Sequence, residues 1–308
     1  MWLWCVVLTV RSTAFTLPWL AHLFAADVLL SALLPLSAVA PDLAYNASSA
    51  IAASVWHGIQ LIFTRINRAK IVVSGVGRLP RGESAIVVAN HVEWADFYMI
   101  QELAIKCGML SRCRWFAKQQ LKWVPFLGWG LWAMGFPLVS RRWTEDQREM
   151  DRVFHGILER KWPTWLIAYS EATRYTASKR QEAEIWCREN QKTLGDHLLF
   201  PRKKGFVASV QKLRRAPHMK AVYDVTIAYG KGTIFQTSPP SFWQTLSQPR
   251  LDRKWQFYVH VDRFELSQLP QTDDDMAQWL ESRWVEKGRR LESLRQLMLE
   301  GSPWEADS

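Results

Sequence analysis

The chain has little cysteine and no internal repeat or low-complexity segment. Its 308 residues include four cysteines, and none of these shows the C-x-x-C spacing that is typical of a zinc site or a redox motif. We therefore expect neither a metal nor a disulfide framework, and reduced thiols are the default for a chain that faces the cytosol. A chain of this length can bury a full core, which fits one large domain or two small ones.

Charged residues are rare in the first 64 positions. Residues 12–26 and 28–41 contain no Asp, Glu, Lys or Arg; Asp27 separates them, and residues 43–64 are again uncharged. A membrane-crossing helix needs about 20 mostly apolar residues, so both halves of this region are long enough. The first half qualifies only if Asp27 is tolerated, which a helix partner or the membrane interface allows.

The flanks of this region predict a helical hairpin with both ends in the cytosol. Basic residues surround it, with Arg11 before it and Arg65, Arg68 and Lys70 after it. Cytosolic flanks carry the excess of positive charge, and Pro41–Asp42 gives a turn signal between the halves. We predict that residues 1–66 are a membrane-associated hairpin that either crosses the bilayer or enters one leaflet; a pair of buried soluble helices is the alternative. A cleaved signal peptide is not expected, because residues 1–10 contain no basic segment.

Positive charge and tryptophan are both abundant. The formal net charge is +10, and 18 residues are tryptophan. The charge indicates an anionic partner, such as nucleic acid, an anionic membrane surface or a phosphorylated substrate. Tryptophan favours the membrane surface, where its amphipathic ring is stable, although it also packs in protein cores. We expect no nucleic-acid partner, because the chain has the hairpin and lacks a basic repeat.

After residue 70, short β-branched runs alternate with helical patterns. The predicted strands are residues 71–76, 85–89, 114–117, 136–140, 164–169, 221–229 and 256–261. The predicted helices are residues 97–106, 144–160, 178–192 and 272–300. This alternation predicts an α/β domain over residues 67–308, with a mixed, mainly parallel sheet flanked by helices. Ligands of such sheets bind beyond the carboxyl ends of the strands.

A histidine and an aspartate come directly after the predicted strand at 85–89. His91 and Asp96 lie in the run NHVEWAD, residues 90–96. Residues five apart point about 140° away from each other on an ideal helix, so the two meet only if a turn leads into a helix that begins near Asp96. In that case Asp96 would orient the imidazole, and His91 would take a proton from a substrate hydroxyl. On spacing alone, capping of the next helix by Asp96 is the stronger interpretation.

Arginine and lysine follow other strand ends. Glu171 and Arg174 follow one predicted strand, Arg141 follows another, and the run PRKKGF at 201–206 lies at a glycine turn. An arginine side chain can fork onto a phosphate with two parallel hydrogen bonds. Each cluster alone is more often a solvated surface, but the three together indicate an anion site.

These runs resemble the motifs of the PlsC-type glycerolipid acyltransferases. In chain order, NHVEWAD matches the first family motif, N-H-x4-D, and GFPLVSRR (135–142) matches the second, an apolar strand that ends in Arg. YSEATR (169–174) matches the third motif, F-P-E-G-T-R, and VYDVTIAY (222–229) matches the fourth. The run PRKKGF and the tail DDDMAQWLESRWVEK (273–287) are similar to the eukaryotic branch that holds lysocardiolipin and lysophosphatidylinositol acyltransferases. The resemblance covers about residues 56–288, and four motifs in the correct order favour the catalytic interpretation of His91.

The resemblance implies an O-acyltransferase that uses acyl-CoA as co-substrate and esterifies the free hydroxyl of an anionic lysophospholipid. It implies that His91 is the general base and Asp96 its partner, with no metal, no cofactor and no covalent acyl-enzyme. The residues implied for the acceptor site are Arg141, Glu171, Thr173, Arg174 and Lys204. Of these, Arg141 and Arg174 would lie nearest the lysolipid phosphate. The implied location is a membrane, and we expect the endoplasmic reticulum with the catalytic domain in the cytosol.

The third motif departs from the family pattern at two positions. Ala172 replaces the usual Gly and Ser170 the usual Pro. If position 172 requires a positive φ, alanine costs about 1 kcal/mol there. A catalytically decayed lipid-binding or scaffold protein on the same fold is therefore the alternative function. The lysolipid head group and the acyl-chain length stay open.

Overall fold

The computed structural model describes residues 2–124, 127–140 and 143–306. The helices in these residues are α1 (Trp2–Ala32), α2 (Leu34–Val39), α3 (Pro41–Leu61), α4 (Asp96–Lys106), α5 (Leu127–Ala133), α6 (Trp143–Arg160), α7 (Ala177–Glu189), α8 (Lys203–Leu213), α9 (Phe242–Ser247) and α10 (Asp273–Leu299). The strands are β1 (Ile71–Ser74), β2 (Ser84–Ala89), β3 (Cys113–Trp115), β4 (Ala117–Lys118), β5 (Leu138–Val139), β6 (Trp165–Tyr169), β7 (Met219–Lys231), β8 (Ile234–Phe235) and β9 (Gln256–Glu265).

Seven of these strands form one mixed sheet. Their order is β1-β9-β7-β2-β6-β3, and β8 pairs with β7. The neighbours β7, β2, β6 and β3 run parallel, as do β1 and β9, whereas β9 and β8 run antiparallel to β7. The remaining two, β4 and β5, form a separate parallel pair. The predicted fold class, a mixed and mainly parallel sheet flanked by helices, is confirmed.

The central strand β2 shows why the sheet is covered on both faces. All of its residues are buried, as expected for a continuous apolar run in the middle of a parallel sheet. Ala85 and Val87 join the core under α3 and α4, while Ile86 and Val88 join the core under α6, α8 and α10. Helices on both faces leave the carboxyl ends of the parallel strands as the open edge of the sheet.

One predicted strand is split in the structure. The run predicted at 114–117 forms β3 and β4, which are separated by Phe116. The backbone N–H of Phe116 still bonds to Ile167 of β6, but the N–H of Ala117 bonds to Pro137, next to β5. The chain therefore leaves the main sheet at this point, because its hydrogen-bond partner changes.

The two halves of the predicted N-terminal hairpin differ in their surroundings. Within the described residues, Val6–Ala32 is the one helix that is long and apolar enough to cross a membrane. The second half forms α3 and packs on the α/β region, where the Trp56 ring lies 5.2 Å from the Trp115 ring and Arg114 donates to Ser49 over 2.6 Å. A helix that shares its core with the sheet is not surrounded by lipid. The division at residue 66 stays a prediction, with α3 attached to the α/β side.

Candidate active site

The turn between β2 and α4 brings His91 and Asp96 together. The strand ends at Ala89 and the helix begins at Asp96, which is the arrangement that the five-residue spacing requires. Nδ1 of His91 lies 2.7 Å from Oδ2 of Asp96, whose side chain is fully buried. The capping interpretation is wrong, because the cap residue of α4 is Ala95 and no side chain caps this helix. Asp96 instead closes the turn before the helix, by accepting from the N–H groups of Val92 and Glu93.

The hydrogen bonds of Asp96 determine which nitrogen of His91 carries the proton. Its Oδ2 accepts from His91 and from two backbone N–H groups, and its Oδ1 accepts the hydroxyl of Tyr229 over 2.7 Å. Because Asp96 acts as the acceptor in these bonds, the imidazole places its proton on Nδ1. The lone pair of Nε2 is then available to a substrate, on a side chain that is 19% exposed.

Three residues that received no role from the sequence complete this arrangement. The Tyr169 ring stacks on the His91 ring, with centroids 4.1 Å apart. Asn90 exchanges two hydrogen bonds with the backbone of Ile227 in β7, at 2.9 and 2.8 Å. Together with Tyr229, these residues come from the ends of three neighbouring strands. The sequence feature that could have identified these three residues is their position inside the matched motifs, next to residues whose roles the family pattern implies.

Glu171 lies beneath the histidine and away from solvent. Its Oε2 accepts the backbone N–H of His91 over 3.0 Å, and its Oε1 accepts from the Leu199 N–H and the Trp284 indole over 3.1 and 3.4 Å. Burial raises the pKa of Glu171 to about 8, against the opposing effect of these three donors. Both carboxyl oxygens are occupied inside the protein, which indicates that Glu171 positions the turn that carries His91; its place in the acceptor site stays a prediction.

The raised pKa of Glu171 predicts a pH-dependent stability. The folded state holds this proton more tightly than the unfolded chain, so the stabilisation is full below the unfolded pKa and disappears as the pH rises through about 8. We expect the thermal midpoint of the wild type to fall relative to that of Glu171→Gln between about pH 5 and pH 8. The slope is at most about 1.4 kcal/mol per pH unit. Parallel midpoint curves for the two proteins would contradict this expectation.

Position 172 has the backbone conformation that favours glycine. Ala172 has a φ of 57°, in the left-handed region. The third motif therefore keeps the turn that its usual glycine would form, and the alanine side chain adds strain to it. An alanine in this conformation costs about 1–2 kcal/mol.

Replacing Ala172 with glycine should stabilise the protein. The free energy gained by relieving the strain exceeds the entropic cost of a more flexible unfolded chain. We therefore expect the free energy of unfolding to rise by about 0.5–1 kcal/mol. The thermal midpoint should rise by about 1–2 °C. Ala183→Gly, inside helix α7, is the matched control and should lose about 1 kcal/mol. An unchanged or lower midpoint for Ala172→Gly would rule out a strained alanine.

The predicted anion-binding residues have different surroundings. Arg174 is exposed and forms an ion pair with Glu93 of the first motif, with 2.5 Å between Nη1 and Oε1. Thr173 accepts a hydrogen bond from Lys179. Lys204 is exposed in the first turn of α8. Arg141 lies outside the described residues. Glu93, which sequence reasoning passed over, therefore holds Arg174 against the turn that carries His91.

The fold and this site define a class: an α/β protein with a histidine–aspartate pair beyond the carboxyl end of its central parallel strand. The model of the Acyltransferase family matches residues 70–230, just over half of the chain. A second model, Acyltransferase C-terminus, matches residues 252–301. The chain therefore belongs to the acyltransferase family, and the resemblance to PlsC-type enzymes is confirmed.

Curated proteins and solved structures are similar to this chain. The probable 1-acyl-sn-glycerol-3-phosphate acyltransferase 5 of Arabidopsis thaliana is 29% identical over 71% of this chain and 55% of its own length. Lysocardiolipin acyltransferase 1 of Danio rerio is 27% identical over 89% of this chain and 68% of its own length. The crystal structure of the 1-acyl-sn-glycerophosphate acyltransferase PlsC of Thermotoga maritima is 15% identical, with a TM-score of 0.50 over 87% of this chain and 96% of that chain. The last likeness shows the fold alone. The chain spans about half the length of the plant relatives it matches.

Proposed function

We propose that this protein transfers an acyl group from acyl-CoA to the free hydroxyl of a lysophospholipid. The proposed acceptor is 1-acyl-sn-glycerol 3-phosphate or a lysophosphatidylinositol-like lipid. The observation that carries the proposal is the buried Asp96 holding His91, in a chain of the acyltransferase family. The names of the relatives support it, because they describe acyl transfer to 1-acyl-sn-glycerol 3-phosphate and to lysocardiolipin.

The geometry supports a direct transfer with His91 as the general base. Nε2 of His91 takes the proton of the acceptor hydroxyl while the hydroxyl oxygen attacks the carbonyl carbon of the thioester. A carbon–oxygen bond forms, the carbon–sulfur bond breaks, and the departing CoA sulfur receives the proton from the imidazolium. Asp96 stabilises the imidazolium between these two steps, as the aspartate of a catalytic triad does. The transfer needs no acyl-enzyme and no metal.

The ion pair between Arg174 and Glu93 suggests how the acceptor phosphate is bound. Both side chains are partly exposed, and exposed ion pairs contribute about 0–1 kcal/mol. A phosphate can accept two parallel hydrogen bonds from the same guanidinium. It can therefore replace the Glu93 carboxylate as the partner of Arg174 with little loss of free energy. Arg141, Thr173 and Lys204 remain proposed contributors to this anion site.

The packing of α1 supports attachment to one leaflet of a membrane. Near its start, Arg11 donates to the Ile66 carbonyl and to the Asn67 side chain, each over 2.8 Å. Near its end, Leu30 packs against Gly130, where an added Cβ would lie 3.2 Å from the Leu30 side chain. These two points are about 28 Å apart along the helix, nearly the thickness of the hydrocarbon core of a bilayer. Because both ends touch the α/β region, we place the helix along the membrane surface. The proposed location is the cytosolic face of the endoplasmic reticulum.

Aromatic rings connect this helix to the catalytic turn. Trp94, three residues after His91, is 37% exposed, and its ring lies 5.0 Å from that of Phe242. The ring of Phe242 lies 6.5 Å from that of Trp19 in α1. An amphiphilic acceptor can therefore approach His91 from the membrane side along an apolar surface.

The test is acyl transfer by the purified full chain. It uses one acyl-CoA and a panel of lysophosphatidate, lysophosphatidylinositol, lysocardiolipin and the zwitterionic lysophosphatidylcholine, with products identified by mass. We expect acylated product with at least one anionic acceptor and little with lysophosphatidylcholine. Binding of vesicles without turnover of any acceptor would overturn the proposal and favour the decayed lipid-binding protein.

A further inference from the structure

Beyond α1, we propose that a second element of this protein inserts into the surface of the lipid bilayer. This element is the tryptophan hook, which we define as residues 119–124 and 127–133, the turn after β4 together with α5. The inference rests on the proposed membrane attachment, but it does not depend on acyl transfer.

The hook exposes large apolar side chains to solvent. Trp123 is 80% exposed, and Val124, Trp129 and Trp132 are 41%, 46% and 37% exposed. A group of exposed aromatic side chains of this kind marks an interaction surface. Tryptophan in particular is enriched at the boundary between the head groups and the acyl chains of a bilayer.

Two glycines hold the hook in a fixed position. A Cβ on Gly128 would lie 2.3 Å from the backbone oxygen of Leu121, so only glycine lets the turn and α5 close on each other. A Cβ on Gly130 would lie 3.2 Å from Leu30 and 3.6 Å from Asp27, so α5 lies tightly against α1. The hook is therefore packed firmly against α1, and its exposed tryptophans are held near the C-terminal end of that helix.

The helices beside the hook also expose large apolar side chains. Helix α5 packs against α1, α2 and α3. These neighbours expose Leu29, Val39 and Leu43 to 54%, 82% and 60%. Exposed apolar side chains thus lie both on the hook and on the helices that it contacts, which favours a single broad occupant.

The charges on the hook favour a lipid bilayer as that occupant. Lys118, just before the hook, and Lys122 inside it are both exposed. A lysine near an anionic membrane surface contributes about 1 kcal/mol to binding. Tryptophan beside lysine matches the boundary of the bilayer, where apolar chains and anionic head groups meet.

The experiment measures the depth of the hook directly in the full chain. Trp123→Cys carries an environment-sensitive fluorophore, and Trp186→Cys is the matched control, because Trp186 is a 44% exposed tryptophan on α7. Both are made with Cys5 replaced by serine; Cys107, Cys113 and Cys187 are buried. The labelled proteins bind vesicles of equimolar phosphatidylcholine and phosphatidylserine, some of which carry nitroxides on their acyl chains, and flotation confirms binding.

On vesicle-bound protein, we expect the emission of the fluorophore at position 123 to shift to shorter wavelength and to be quenched by the nitroxides. The label at position 186 should keep the spectrum that it has in water. A water-like label at position 123 on vesicle-bound protein would overturn the inference. A label that is shielded but not quenched would also overturn it, since a protein partner or a second copy of the chain would then cover the hook.

A second variant tests the contribution of the hook to binding. Trp123→Gln combined with Trp129→Gln should weaken vesicle binding by about tenfold, because the bound protein loses two aromatic rings that are partly buried in the bilayer. Trp186→Gln should bind as the wild type does. Equal binding by the three proteins would overturn the inference, whereas an inactive protein with this binding pattern would overturn only the proposed acyl transfer.

Discussion

Replacing His91 with alanine should lower the rate of acyl transfer by about 10²–10⁴-fold, the contribution of a well-placed general base. The reason is that Nε2 of His91 is the group that the geometry offers to the acceptor hydroxyl, while Asp96 holds the proton on Nδ1. The rate is measured as CoA thiol release with a saturating acyl-CoA and the best acceptor of the panel. Vesicle binding should not change, because α1 and the hook are intact.

A matched histidine separates this effect from a general loss of structure. His155 is exposed on α6, which covers the sheet face opposite to α3 and α4. His155→Ala should keep full activity. A His91→Ala protein that retains the wild-type rate would sink the proposed mechanism, although the family membership of the chain would stand. A thermal midpoint within a few degrees of the wild type shows that the variant is folded.

Replacing Asp96 with asparagine should lower kcat by about 100-fold, which corresponds to about 3 kcal/mol of transition-state stabilisation. An asparagine oxygen can still accept from His91 and from the N–H groups of Val92 and Glu93. Its amide can donate to Tyr229 once that hydroxyl turns. The turn and the tautomer are thus preserved, and the negative charge beside the imidazolium is what the variant removes.

Tyr229→Phe is the control for this substitution. It removes one hydrogen bond to Oδ1 of Asp96 and keeps the charge, so we expect a loss of about fivefold to tenfold, or about 1 kcal/mol. The two variants are compared by kcat at a fixed pH with the same acceptor. An Asp96→Asn protein with a rate near that of Tyr229→Phe would show that Asp96 only orients His91 and contributes little through its charge.

Local patterns carried most of the predictions about single elements. The apolar run of β2 is long enough to form a buried strand, and the five-residue spacing of His91 and Asp96 requires the turn that the structure contains. Even the possible strain at Ala172 was foreseeable, since the family pattern has glycine there and the alanine adopts a φ of 57°. Predictions of this kind succeed because the interacting residues are close along the chain.

Contacts between distant parts of the chain were harder to foresee. The uncharged stretch at 43–64 has the composition of a lipid-facing helix, yet α3 packs on Trp115 and Arg114. Glu171 has the sequence position of an acceptor-site residue, yet it is buried under three N–H donors, one of them from Trp284 in α10. Composition does not distinguish burial in a protein core from burial in lipid.

The sequence by itself determined the α/β class and most of its strands, because apolar periodicity acts within a single element, and the order of its motifs favoured the pairing of His91 with Asp96. Only the tertiary structure decided which side chains surround that pair. Tyr229 reaches Asp96 from 133 residues away, Trp284 reaches Glu171 from 113 residues away, and the tryptophan hook closes on α1 through Gly130. The physical reason is that distances between remote residues depend on how whole elements pack against one another, which no local pattern encodes.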